Sequence, residues 1–104
     1  MRFRILPDAD GEAIAAAIWY DNRQPGLGSD FLFEYQQALD RIRRDPESLP
    51  RLDSYHGPHE IRRVPMARFA YGLLFLCRPI EVLVVATAHV RRGPYYWLER
   101  LPTE

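Results

Sequence analysis

The sequence predicts an α+β domain in which an antiparallel helix hairpin packs on one face of a mainly antiparallel four-stranded sheet. Three observations predict this class. The chain begins with a short strand-like segment, two helical segments follow, and the apolar period changes to two from about residue 60 onward. A chain of 104 residues with 47% hydrophobic residues is sufficient for one domain, spanning 1–104, with a modest core.

The N-terminal segment predicts a strand followed by a helix. Residues 2–6 alternate in character and form the predicted strand, which Pro7 ends. The alanine-rich segment from Glu12 to about Asn22 is predicted to be helical, with Asp8 or Asp10 as its N-cap.

A second helix is predicted after a tight connection at residues 24–28. Ser29 or Asp30 is the expected N-cap, and Pro46 stops the helix near Arg44. Two helices joined by so short a turn are expected to pack antiparallel. One apolar stripe at helical spacing is expected to face the core: Leu32, Tyr35, Leu39 and Ile42.

The second half of the chain predicts three strands. Residues 46–59 contain three prolines and are predicted to be a loop. A strand is expected over 61–66, where Pro65 places it at a sheet edge or a bulge. The strongest strand patterns are 69–77 and 80–89, and an aromatic tail follows them.

Both strong strands are apolar on both faces, which is typical of strands covered on both sides. Two helices can cover only one face of the sheet. An external partner is therefore expected on the other face, with a dimer mate or the folded-back aromatic tail as alternatives. Simple alternation in the last strand separates two sets: Val82, Val84, Ala86 and Ala88 against Leu83, Val85 and Thr87.

Composition limits the chemistry. The 14 basic and 14 acidic residues cancel, which argues against a strongly basic nucleic-acid coat but allows a local patch. All the basic residues are arginine, so no lysine can act as a nucleophile or proton carrier. Cys77 is the single cysteine, and no apolar run is long enough to cross a membrane or form a signal peptide; cytoplasmic residence is expected. No Cys, His and carboxylate spacing predicts a metal site, and His56 and His59 lie in a polar loop away from His89.

The order of these elements resembles the RelE/ParE superfamily, the toxins of bacterial type II toxin–antitoxin pairs. The resemblance extends over about residues 3–97. It is carried by the segments 19–21, 23–32, 38–42, 45–46, 61–64, 68–71 and 88–97.

The resemblance implies a compact toxin that is neutralised by a cognate antitoxin and needs no cofactor or metal. Family members act in two main ways. RelE-like toxins cleave mRNA in the ribosome, and ParE-like toxins inhibit DNA gyrase without being nucleases. A third possibility is a degenerate toxin that is retained only as an antitoxin-binding module.

If the chain is a nuclease, the resemblance implies catalytic roles for three residues. Arg63 matches a basic position on the second strand, His89 is a candidate acid or base, and Tyr95 or Tyr96 is the C-terminal candidate. His89 has an alternative structural interpretation, a strand-end histidine bonded to a loop carbonyl.

The nuclease pattern is only partly present. A second basic position falls at Pro65, and Tyr71 is followed by Gly72 where many RelE-like nucleases have arginine. ParE-like inhibition of a protein target is therefore favoured, and ribosome-dependent cleavage is the alternative. Arg68, Arg91 and Arg92 are expected to form an anion-binding rim with Arg63. The aromatic tail is expected either to stack on a ligand or to seal the core. The residues expected to contact the target or the antitoxin are Arg62, Arg68, Arg91, Arg92, Tyr96 and Trp97.

Overall fold

The computed structural model describes residues 1–103 and confirms the α+β class. The strands and helices are β1 (Arg2–Ile5), α1 (Pro7–Arg23), α2 (Leu27–Arg44), β2 (Glu60–Pro65), β3 (Tyr71–Cys77) and β4 (Glu81–His89). Two 3₁₀ turns, Pro46–Ser48 and Leu98–Arg100, complete the elements. The sheet order is β1-β4-β3-β2, with β1 parallel to β4 and the other pairs antiparallel.

Helix α1 begins earlier than the sequence predicts. It starts at Pro7 with Leu6 as the N-cap, so Asp8 and Asp10 lie inside the first turn and do not cap it. Proline is favoured at the first helical position because its missing N–H has no partner there in any case. Asp10 instead accepts a hydrogen bond from the Tyr35 hydroxyl at 3.1 Å, which joins the start of α1 to the middle of α2.

The predicted caps of α2 are also wrong. Gly26 is the N-cap, with a φ of 94° that favours glycine, and neither Ser29 nor Asp30 caps the helix. The Oδ1 atom of Asp21 accepts hydrogen bonds from the backbone N–H of Gly26 at 2.9 Å and of Gly28 at 3.2 Å. The end of α1 therefore caps α2 across the turn, which fixes the two helices as an antiparallel hairpin.

The hairpin packs through small residues. A Cβ at Gly28 would lie 2.5 Å from the Ala17 carbonyl oxygen, so only glycine allows this approach. The buried stripe of α2 begins at Phe31, whereas Leu32 is 39% exposed, contrary to prediction. The other predicted members, Tyr35, Leu39 and Ile42, are buried as expected. No helix within residues 1–103 is long and apolar enough to cross a membrane.

A β-bulge changes the faces of β4. Leu74 lies opposite Ala86. The next residue, Phe75, lies opposite Val84, which leaves Val85 as an extra residue in β4. Simple alternation is therefore wrong from Ala86 onward. Val82 and Val84 pack against the helices, whereas Leu83, Val85, Ala86 and Ala88 pack on the opposite face.

The second face of the sheet is covered by the chain itself, so the expectation of an external partner on this face is wrong. Trp97 is 3% exposed and packs there with Leu52 and Tyr55 from the loop and Leu101 from the tail. The folded-back tail was one of the predicted alternatives. The contribution of the loop could not be predicted, because its path depends on backbone pairing such as the bridge between Arg51 and β2.

Candidate functional site

The structure brings together the three candidate catalytic residues. Arg63 from β2, His89 from the end of β4 and Tyr95 from the tail line one cleft of about 270 Å³. The cleft opens beside the second face of the sheet. Its remaining lining residues are Leu52, Ser54, Leu74, Ala88, Val90, Pro94 and Trp97.

The position of Arg63 depends on Gly72 in the neighbouring strand. A Cβ at Gly72 would lie 2.5 Å from Nη2 and 2.6 Å from Cζ of Arg63, so the guanidinium occupies the space that a side chain would fill. Arg63 forms no ion pair with another residue among 1–103. A cation therefore lies against this point of the sheet, although the sequence has no arginine at position 72.

His89 lines this cleft and also a neighbouring cleft between α1 and the end of β4. Its Nδ1 accepts a hydrogen bond from the Arg91 backbone N–H at 3.0 Å, and its ring meets the edge of Tyr71 at 5.1 Å. The bond is made to an amide N–H and not to a loop carbonyl, so a neutral ring carries its proton on Nε2. Nε2 is the nitrogen left to exchange a proton with a ligand.

Tyr95 is held in an unusual backbone conformation. Its φ of 66° is the only positive φ at a non-glycine residue in the part of the chain that the structure describes. Its hydroxyl donates a hydrogen bond to the Ser54 carbonyl oxygen at 2.6 Å, and its ring lies 6.1 Å from that of Trp97. Since the hydroxyl proton already has an acceptor, Tyr95 is better placed as a wall of the cleft than as an acid.

The predicted anion-binding rim is not assembled around Arg63. Arg68 lies against α2, where it pairs with Glu34 at 2.6 Å and Asp30 at 3.3 Å. These carboxylates raise the pKa of Arg68 through hydrogen bonds to its guanidinium. The arrangement ties the β2–β3 loop to the helix hairpin.

Arg62 also makes contacts within the chain. It pairs with Glu60 at 2.7 Å, a hydrogen bond that raises its pKa, and it donates to the Leu49 carbonyl. Its side chain is 15% exposed. Arg62 therefore fastens the loop after α2 onto β2, and little of it is available to a partner.

Glu12, which was predicted only as the start of a helix, organises the other side of the site. Glu12 accepts hydrogen bonds from the Thr87 backbone N–H at 2.9 Å, the Tyr96 hydroxyl at 2.9 Å and Arg100 at 3.0 Å, and it pairs with Arg92 at 3.3 Å. The Glu12 side chain is 14% exposed. No sequence pattern marks these pairs, because the partners lie 75 to 88 residues away.

The residues around Glu12 fasten the tail to the body of the domain. Arg100 donates a hydrogen bond to the carbonyl of Val85, the bulge residue, at 2.9 Å. Arg92 lies over the Tyr96 ring at 3.6 Å. Burial, followed by the hydrogen bond to Glu12, raises the pKa of Tyr96 to about 12. Tyr96 and Trp97 therefore hold the tail in place.

Of the six residues predicted to contact a target or antitoxin, Arg91 alone has neither a side-chain hydrogen bond nor a buried ring within residues 1–103.

A second cleft of about 360 Å³ lies between α1 and the end of β4, and His89 lines both clefts. The other residues that line this second cleft are Glu12, Ala15, Ala16, Trp19, Tyr20, Tyr71, Thr87 and Arg92.

Residues 1–103 contain no group of three or more His, Cys, Asp or Glu side chains that could hold a metal ion. Burial raises the pKa of the Cys77 thiol to about 11, which disfavours a thiolate there.

Comparison with known proteins identifies the fold. No protein-family model and no curated protein matches the chain. Among solved structures, the chain is similar to one from the chromosomal ParDE TA system from P. aeruginosa, with a TM-score of 0.73 and 11% sequence identity. The match covers 86% of this chain and 95% of the other. The domain therefore shares its fold with this chain of the ParDE TA system.

Proposed function

We propose that this protein is the toxin of a bacterial type II toxin–antitoxin pair, neutralised in the cytoplasm by a cognate antitoxin. Its action is ParE-like inhibition of a protein target such as DNA gyrase. The observation that carries the proposal is the shared fold with a chain of a ParDE TA system over 86% of this chain. Fold alone does not fix function, so the choice of target depends on the site.

The cleft supports inhibition of a protein over RNA cleavage. Metal-free cleavage of RNA needs a base, an acid and several cations around the phosphate. Arg63 is the one cation among the residues that line this cleft, and the Tyr95 hydroxyl donates to Ser54. Arg68 and Arg92 are paired with carboxylates elsewhere.

One observation favours RNA cleavage as a second candidate. Arg63 and His89, which are 26 positions apart in the sequence, line the same cleft, and His89 keeps Nε2 for proton transfer. This pair supplies one cation and one acid–base group, which is part of what metal-free cleavage needs. A retained antitoxin-binding module with no toxicity is the third candidate.

The test is induction of the protein in cells, followed by primer extension on abundant transcripts and a supercoiling assay with purified gyrase. We expect growth arrest and loss of gyrase activity, with no new cuts in mRNA. Arg63→Ala and His89→Ala should leave that arrest intact, and Arg44→Ala serves as the control on the distant end of α2. Cuts at the ribosomal A site that Arg63→Ala or His89→Ala abolishes would establish the endonuclease. No cuts and no effect on gyrase would favour the antitoxin-binding module.

A further inference from the structure

The cleft between α1 and the end of β4 is open because α1 carries small side chains beside it. Ala15 and Ala16 line the cleft, and Trp19 follows one turn later on the same side of the helix. Ala15 is exposed, so a longer side chain at this position would fill space that is now empty. The cleft has a volume of about 360 Å³, which is enough for one small molecule.

Aromatic rings form the walls of this cleft. Trp19 and Tyr20 meet edge-on with their centroids 5.0 Å apart, Tyr71 lies 6.2 Å from Tyr20, and His89 lies 5.1 Å from Tyr71. The guanidinium of Arg23 lies over the Trp19 ring at 4.2 Å, which helps to hold the indole in place. Rings that are already ordered by their neighbours suit a planar apolar group.

The polar groups of the cleft that have no partner can all donate hydrogen bonds. The hydroxyls of Tyr20 and Tyr71 and Nε2 of His89 make no hydrogen bond within residues 1–103. Arg92 donates only one N–H, to Glu12. Burial raises the pKa of Tyr71, the nearby Tyr20 and Glu12 raise it further, and Arg92 lowers it, so these groups lie close to one another. Such a set favours a ligand that accepts hydrogen bonds.

The charge that remains available in the cleft is positive. Glu12 is the one carboxylate that lines it, and Arg100 balances that charge from within the domain at 3.0 Å. Arg100 also approaches Asp8 at 3.7 Å, but the Asp8 side chain is 59% exposed, lies outside the cleft and is screened by water. Arg92 is 51% exposed and is therefore available as the cation for an anionic ligand.

We propose that this cleft binds a small organic molecule with a planar apolar group and a carboxylate. The planar group contacts Trp19 and the alanines of α1, and the carboxylate accepts hydrogen bonds from Arg92 and Tyr71. Hydrogen bonds between a guanidinium and a carboxylate are among the strong ones. This ligand is neither the target nor the antitoxin, so the inference goes beyond the proposed function and does not depend on it.

The same features disfavour two other ligands. A peptide would find no strand to pair with, because β4 already lies between β1 and β3. An organic cation would suit the aromatic rings, but Arg92 would repel it, and the hydrogen-bonding capacity of Glu12 is already used by Thr87, Tyr96 and Arg100. A small carboxylate satisfies both the charge and the donors.

The test uses the full-length protein with cinnamate as the probe and follows the indole N–H NMR signals of the two tryptophans. Trp19 lines this cleft, whereas Trp97 lines the other one. We expect a saturable shift of the Trp19 signal, with a dissociation constant below about 1 mM, and little change at Trp97. Cinnamamide, which has the same shape without the charge, should bind at least about tenfold more weakly.

Two variants identify the site. Arg92→Gln should weaken cinnamate binding at least about tenfold and leave cinnamamide binding unchanged, a difference that a general structural defect would not produce. Arg91→Gln removes the neighbouring charge and should have little effect. Ala15→Leu should abolish binding by filling the cleft, since leucine is also a good helix former. Ala67→Leu makes the same change at an exposed position outside this cleft and should bind cinnamate normally.

Several outcomes would overturn the proposal. They are no saturable shift at Trp19, equal binding of cinnamamide, tighter binding of cinnamylammonium, and unchanged cinnamate binding in Arg92→Gln or Ala15→Leu. A peptide that ends in phenylalanine with a free carboxylate presents the same chemistry on a longer chain, and its tighter binding would overturn the assignment to a small molecule. Toxicity is measured separately, so failure of the proposed function leaves this result unchanged.

Discussion

The guanidinium of Arg63 lies in the space that a side chain at Gly72 would occupy, with Nη2 2.5 Å from the position of a Cβ there. In the sequence, Gly72 occupies the position at which many RelE-like nucleases have an arginine. In the structure, the same glycine makes room for an arginine from the adjacent strand. The two positions therefore have to be interpreted together.

We expect Gly72→Ala to displace the Arg63 guanidinium at small cost to stability, below about 1 kcal/mol, because the far end of a flexible side chain can move. In the Arg63→Ala background, the same substitution should be neutral or stabilising, since glycine in a strand is about 0.5–1 kcal/mol less favourable than alanine. Denaturant unfolding of the two single variants and the double variant measures this coupling. Strictly additive effects would mean that Arg63 does not rest on Gly72.

Leu39→Ala should destabilise the protein by roughly 2–4 kcal/mol through lost burial and a cavity. Leu39 is 4% exposed at the centre of the α2 stripe. Leu32→Ala is the matched control, because Leu32 is 39% exposed and its truncation should cost less than about 1 kcal/mol. Thermal or chemical unfolding provides the comparison. Equal losses of stability in the two variants would contradict a buried stripe that contains Phe31 and Leu39 and leaves Leu32 exposed.

The sequence predicted elements well where local periodicity determines them. The strands, the helix hairpin and the edge position of Pro65 agree with the structure, with boundaries that differ by one or two residues in β2, β3 and β4. The start of α1 differs by five residues, because Pro7 acts as the first residue of the helix instead of a barrier to it. The faces of β4 were mispredicted from Ala86 onward, because a bulge has no reliable signature in a run of small apolar residues.

Features that depend on distant pairs were not predictable from the sequence. Arg63, His89 and Tyr95 were selected individually by resemblance, and only the fold places them in one cleft. Glu12 was missed, since its partners are Thr87 and residues of the tail. Arginines expected at an interface proved to bind carboxylates within the chain, a choice that depends on geometry and not on residue type.

Glu12→Gln should destabilise the protein by about 2–3 kcal/mol. The amide cannot balance the charge of Arg100, whose side chain is 17% exposed, and the pairing of a partly buried cation is lost. Hydrogen exchange should increase in the tail and at Thr87, whose backbone N–H is bonded to Glu12. Glu99→Gln, at an exposed position of the same tail, is the control and should change stability by less than about 0.5 kcal/mol. An unchanged tail in Glu12→Gln would contradict its role as the main fastening point.

Stability should fall at alkaline pH. The pKa of Tyr96 is raised from 10.0 to about 12, mainly by burial and then by the carboxylate of Glu12. Between these values the unfolded chain has released the hydroxyl proton while the folded chain retains it, so the stabilisation is complete below about pH 10 and decreases as the pH rises toward 12. Denaturant unfolding between about pH 8 and about pH 11 should show that the free energy of unfolding falls less steeply with pH in Tyr96→Phe than in the unchanged protein. Burial also raises the pKa of Tyr35, so part of the pH dependence should remain in the Tyr96→Phe variant. An identical pH profile in the variant would exclude Tyr96 as a source.

Trp97 should determine whether the isolated protein exposes an apolar face of its sheet. The two-sided apolar pattern of β3 and β4 alone predicts an open face, but Trp97 is 3% exposed and closes it. We therefore expect the intact chain to bind little hydrophobic dye, and Trp97→Ala to bind dye strongly and lose about 3–5 kcal/mol of stability. Trp19→Ala removes the same side chain from a position that is 51% exposed and should have little effect on either property. Strong dye binding by the intact protein, matched by Trp97→Ala, would mean that the tail does not cover this face in solution and that a partner is needed there after all.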